Sequence, residues 1–347
     1  MKTLTCRLPR RGSNAGSRLS FRTPARTVWA SLGLLFVLIA VGLFTLTAGR
    51  FNVGMMDVVD ALSGRGAERT RMIVVEWRLP RLLLAGLLGA ALGLSGAIFQ
   101  SLTRNPLGSP DIMGFAAGAY TGALLVILLF AGGYYLTAAG AIAGGLATAT
   151  LVYVFAGAGG NHGFRLIVIG IGTSAMLSAL NAWMIRRADL DVAMGAALWS
   201  AGSLNGLGFE QLVPAAILLA LLAIPIIALA RPMRQMELGE DVALASGIAT
   251  TKSRLGLTLC GVALTAIVTA VAGPISFVAL AAPQIAHRLA LSSGTSLLLS
   301  GLMGAVLLTA ADAAAQHAFG LQLPVGVMTV SVGGFYFLWL LIREGRR

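Results

Sequence analysis

Long apolar runs separated by short polar breaks dominate the chain. A run of about 17–25 mostly apolar residues is long enough to cross a hydrocarbon core as an α-helix. Ten such segments can be marked off: 28–48, 80–103, 112–130, 136–156, 165–185, 210–230, 254–273, 275–291, 296–313 and 324–342. The eighth is the least apolar, since it contains Pro283, Gln284, His287 and Arg288. The period-two alternation of a membrane β-barrel is absent. The pattern predicts an all-α integral membrane protein with about ten transmembrane helices. A basic tail over residues 1–27 precedes a single transmembrane domain over 28–347.

Composition agrees with this pattern. Of the 347 residues 57% are hydrophobic and only 11% charged, against about 25% charged in an ordinary soluble domain. The net charge of +12 does not indicate a nucleic-acid partner, because the cations cluster at the ends of apolar runs. Lys2, Arg7, Arg10, Arg11, Arg18, Arg22 and Arg26 fill the tail with no acid among them. A cleaved signal peptide with its core at 28–45 is the competing reading of this region, but the apolar run is long for one, which favours a retained first helix. Placing the N-terminus inside puts 17 of the 25 Lys and Arg on the cytoplasmic side, as the positive-inside rule requires. Both termini are then cytoplasmic. Cys6 and Cys260 lie in the tail and inside a span, so they form no disulfide framework. With these orientations, helices 2–5 start outside and helices 7–10 start inside, which makes the two groups candidates for inverted repeats.

The breaks hold the candidate chemistry. Between the second and third segments the chain reads LTRNPLGSPDIMG, with Pro106 and Pro110 disrupting any helix. Such a break must lie in water or be packed inside protein, with Asn105, Ser109 and Asp111 available to bond freed backbone groups. Ser109 or Asp111 is placed to cap the next helix. Glycines at helical spacing form small-residue ridges: Gly89 and Gly93, then Gly114, Gly118 and Gly122, then Gly140 and Gly144. Ridges of this kind let helix backbones approach closely. Polar groups inside spans are few: Gln100, Asn181, Gln284, His287 and Asp312. The sequence contains no HExxH, no Ser/His/Asp arrangement and no GxxxxGK[ST], so energy for any pumping comes from elsewhere. No metal site or cofactor is expected. The largest inner loop, about 231–254, has basic ends and an acidic, alanine-rich centre. A short helix there, with Leu238, Val242 and Ala245 on one face, fits a docking element or a surface linker equally.

Taken together, RLPR at 78–81, SGAIFQSLTRNPLGSPDIMG at 95–114, WSAGSLNG at 199–206, LGEDVALASG at 238–247, GPISFVALAAPQIAHR at 273–288 and LPVGVMTVSVGGFYFLWLL at 323–341 resemble the FecCD-type membrane permeases of type II ABC importers. That family takes up ferric siderophores, haem and cobalamin, and the C-terminal motifs look most like its enterobactin-type branch. The resemblance implies a ten-helix permease of the bacterial inner membrane, with no ATPase site of its own, that translocates a ferric siderophore, a catecholate by this branch. It implies as partners a second homologous permease, two ATP-binding-cassette ATPase subunits and a periplasmic or lipid-anchored binding protein. It further implies that Arg78 and Arg81, with Gln316 and His317 at the place of a third arginine, receive the binding protein. Leu238, Gly239, Glu240, Asp241, Ala243 and Gly247 would couple to the ATPase, and Asn161, His162, Gly163 and Phe164 would form the cytoplasmic gate. A haem or cobalamin importer is the alternative within the class. A proton-driven secondary transporter using Asp312 as a relay is the alternative outside it.

Overall fold

A computed structural model describes residues 3–8, 19–49, 51–130, 132–156, 162–291, 294–318 and 322–344. In the tail, β1 (Thr3–Leu8) pairs antiparallel with β2 (Leu19–Pro24). This hairpin is not evident from the sequence, where basic residues mask any alternation. Fourteen α-helices follow among the described residues. The first four are α1 (Ala25–Thr47), α2 (Met55–Leu62), α3 (Glu68–Arg71) and α4 (Leu79–Thr103), then come α5 (Phe115–Phe130), α6 (Tyr134–Ala156) and α7 (His162–Arg187). The rest are α8 (Leu190–Ser200), α9 (Phe209–Glu237), α10 (Glu240–Ala245), α11 (Thr250–Ala272), α12 (Val278–Ala290), α13 (Leu297–His317) and α14 (Val325–Glu344).

All ten apolar segments coincide with helices. Among the described residues seven helices are long and apolar enough to cross a membrane and α5, α8 and α14 are shorter apolar ones, while α12 occupies the less apolar eighth segment. The second segment is longer than its apolar core suggests. A π-helical stretch, Met72–Arg78, joins α3 to α4, so the helix runs continuously from Glu68 to Thr103. Its charged first turns, together with α2, account for the arginine-rich stretch between the first two apolar segments. Helix α8 is a further addition between the fifth and sixth segments.

Helix starts and stops follow local chemistry. Asp57 accepts a hydrogen bond from the Gly54 backbone N–H at 3.2 Å and begins α2, and Gln211 does the same for Gly208 at 2.8 Å before α9. Ser296 caps α13 by accepting from the Leu299 N–H. Helix α4 ends where Arg104 adopts a left-handed conformation (φ 49°) ahead of Asn105-Pro106.

Helix α4 is the central post of the subunit. Leu84, Leu88, Leu92 and Ile98 on it are fully buried against α9, α11, α12 and α13. The predicted glycine ridges account for this closeness. A methyl group on Gly89 or Gly93 would collide with the backbone of Gly304 or Ser300 on α13, and one on Gly122 would collide with Gly140 on α6. With no hydrophobic force between helices in lipid, backbone contact of this kind supplies the association energy. Gly114 departs from its predicted ridge: it precedes α5 at φ 79° and backs onto Ser174 of α7. Facing outward, Phe36, Ile227 and Phe335 are each more than 70% exposed, as lipid-facing side chains are.

Candidate functional site

Three polar constructions stand out in the apolar bundle. The first is at the N-terminal end of α4. Arg81 donates from Nε and Nη2 to both carboxylate oxygens of Asp312 on α13, at 2.9 and 2.7 Å. Gln316, one turn further along α13, donates to the same carboxylate at 2.7 Å. The Asp312 side chain is 4% exposed, so this is a buried, bidentate ion pair. Arg78 donates to the backbone carbonyls of Leu46 and Phe51, both at 2.7 Å. His317 stands edge-on to Phe44 with ring centroids 5.5 Å apart. Arg78, Arg81, Gln316 and His317, grouped from sequence as a docking set, line one cavity of about 440 Å³. The unforeseen member is Asp312, which holds Arg81 from 231 residues away. With its carboxylate committed to Arg81 and Gln316, Asp312 is poorly suited to a proton relay.

The second construction answers the question posed by LTRNPLGSPDIMG. Asn105 accepts from the Leu107 N–H at 2.9 Å and closes a tight turn. Ser109 accepts from the Ile112 N–H. Asp111, expected as a possible helix cap, instead reaches across the subunit to accept from the Phe277 N–H at 3.2 Å. Phe277 begins α12 in a left-handed conformation (φ 68°), which is costly for a bulky residue and persists only where surroundings impose it. Two amide side chains complete the joint. Gln100 donates to the Leu280 carbonyl at 3.0 Å, and Gln284 donates to the Pro106 carbonyl at 2.6 Å. The break after α4 and the break before α12 are thus one cross-tied unit, with freed backbone groups satisfied by side chains. Burial pushes the Asp111 carboxyl up to about 7, partly offset by the Phe277 hydrogen bond. Gln100, Asn105, Pro106, Gln284, His287 and Arg288 line an adjoining cavity of about 700 Å³.

The third construction is α10 in the loop between α9 and α11. Glu240 pairs with Arg254 of α11 at 2.8 Å. Gly239 (φ 131°) and Gly247 (φ 79°) bracket the helix in conformations that favour glycine. Leu238, Val242 and Leu244 are about half to three-quarters exposed, and Asp241 is exposed. Ala243 is fully buried inside the subunit. The small side chain at 243 therefore serves this chain's own packing, not an exposed docking face. Of the proposed gate, Asn161 lies outside the described residues. The backbones of His162 and Gly163 open α7, and Phe164 is 70% exposed.

The helical bundle is that of an ABC transporter permease. One solved structure, described as an inward-facing metal-chelate type ABC transporter, superposes with a TM-score of 0.78 at 26% identity, covering 91% of this chain and 99% of that one. The sequence profile of the FecCD transport family matches residues 36–343, and this chain belongs to that family. It is 47% identical over 323 residues to the ferric enterobactin transport system permease protein FepG of Escherichia coli K12, covering 93% of this chain and 98% of that protein. It is 37% identical over 320 residues to the achromobactin transport system permease protein CbrC of Dickeya dadantii, covering 90% and 91%.

Proposed function

We propose that this chain is the permease subunit of an ABC importer carrying a ferric siderophore of the enterobactin-like catecholate class across the bacterial inner membrane. The observation that carries this reading is the near end-to-end likeness, at 47% identity, to a ferric enterobactin permease. The chain works beside a second, homologous permease. ATP hydrolysis on two partner ATPases moves α10, and a periplasmic or lipid-anchored binding protein delivers the chelate at the outer end. Arg78, Arg81, Gln316 and His317 form the outer docking rim. The exposed side of α10, at Leu238, Asp241, Val242 and Leu244, meets the ATPase, with Gly239, Glu240 and Gly247 setting its position. Asn161 together with the start of α7, His162 to Phe164, gates the cytoplasmic end. Both termini are cytoplasmic.

The test is uptake of radiolabelled ferric enterobactin by cells lacking their own permease and supplied with this chain and its partner subunits. Uptake is expected to require ATP and a binding protein and to exceed uptake of haem or cobalamin. Uptake driven by a proton gradient alone, or preference for haem or cobalamin, overturns the reading.

A further inference from the structure

A groove on the membrane face of the subunit differs in kind from the polar constructions above. It lies between α4, α9 and the start of α13 and encloses about 550 Å³. Its walls are almost wholly aliphatic, with Leu94 on α4, Ala216 and Ala223 on α9 and Leu298 on α13 among them. One cation stands in it, Arg234, at the end where α9 leaves its apolar run. Arg234 is exposed and makes no hydrogen bond or ion pair among the described residues.

The dimensions restrict what fits. Ala216 and Arg234 are 18 residues apart on α9, which at 1.5 Å per residue is about 27 Å and close to the thickness of a hydrocarbon core. The part of the groove from Arg234 to Ala223 is 11 residues long, about 16 Å, which is about half the hydrocarbon core and so the reach of one acyl chain from one leaflet, and its walls are aliphatic throughout. A guanidinium with no partner among the described residues, at the end of this aliphatic groove, complements a phosphate, which arginine binds through its planar fork.

We infer that this groove binds one anionic glycerophospholipid, an acyl chain lying along α9 and the headgroup phosphate on Arg234. The inference is independent of the transported substrate. The small residue at Ala223 serves this site by leaving room for the chain, and Arg234 selects the headgroup.

Native mass spectrometry of the full chain, extracted with its partner subunits in mild detergent, tests this as phosphatidylglycerol and phosphatidylcholine are titrated in competition. One phosphatidylglycerol per copy is expected to bind first, preferred over phosphatidylcholine by about fivefold, the worth of one arginine near an anionic surface. Arg234→Gln, which removes the charge and keeps a polar side chain, is expected to abolish the preference. Ala223→Phe, which fills the groove, is expected to remove the tight site. Absence of a first tight lipid in the wild-type protein, or a preference unchanged by Arg234→Gln, overturns the inference. So does cross-linking of Ala223→Cys to a neighbouring polypeptide, which would identify a protein helix as the occupant. The wild-type competition needs no variant, so a misfolded substitution leaves the test intact.

Discussion

Asp312 and Arg81 are each legible in the sequence as an ionisable residue near an outer helix end, but their pairing is not, because 231 residues separate them. The pairing changes what either substitution should do. Removing one member of a buried ion pair strands the other charge and costs about 3–5 kcal/mol, whereas replacing both with apolar groups is often near neutral. Arg81→Met is therefore expected to destabilise the detergent-solubilised protein by that amount, and Arg81→Met with Asp312→Leu to regain most of it. Denaturant unfolding of both variants measures the difference, and uptake separates the roles. A double variant that is stable but inactive assigns Arg81 to docking as well as to structure. Asp111 makes a second, pH-dependent case. Its carboxyl is held at about 7 by burial, above the ordinary 3.8, so the folded protein keeps a proton that the unfolded chain releases. That contribution to stability is complete below about pH 4 and is lost as pH rises towards about 7. Asp111→Asn retains an acceptor for the Phe277 N–H and cannot ionise. The variant's unfolding midpoint should fall less than the wild type's between about pH 5 and about pH 7, and equal falls would remove Asp111 from the account.

At the scale of elements, α10 separates what patterning can and cannot say. The amphipathic spacing in 238–247 predicts a short helix with Leu238, Val242 and Ala245 on one side, and these side chains are exposed. The left-handed glycine at its end, Gly247, is equally legible. Ala243 is not, since a small residue suits a cleft in a partner and a tight contact in its own subunit alike. Its complete burial decides for the second. Ala243→Trp should therefore overpack the subunit, at about 1–3 kcal/mol, and lower the amount of folded protein. Leu244→Arg, at a position 54% exposed, should leave stability within about 0.5 kcal/mol while releasing the ATPase. Co-purification of the ATPase with each variant, set beside its unfolding midpoint, checks this. ATPase retained by Leu244→Arg would return the loop to a plain linker. The breaks at 104–114 and 273–277 follow the same logic. Proline and glycine mark where helices stop, but only the folded chain shows that Asp111, Gln100 and Gln284 tie the two breaks together.

For the molecule as a whole, each of the ten segments marked by hydropathy falls on a helix, because crossing a membrane leaves the backbone no other choice, while the short apolar α8 goes unmarked. Hydropathy says nothing of where a substrate passes, and packing bears on that question. The glycine contacts between α4 and α13 and between α5 and α6 bring helix backbones together, and α4, the central post, is sealed by leucines. The outer cavity of about 440 Å³ and the cavity of about 700 Å³ beside the α4–α12 joint share no lining residue. These two polar cavities therefore form no joint channel within the subunit, and the place expected for the path of a large iron chelate is between two permeases. A tagged copy of this chain is expected to co-purify with one copy of a different homologous permease and two ATPase copies. The chain expressed without that permease should insert and fold, because its core is its own, yet import nothing. Recovery of an active transporter containing two copies of this chain and no second permease would overturn the heterodimer, while leaving the path between subunits in place. Import by a single copy would overturn both.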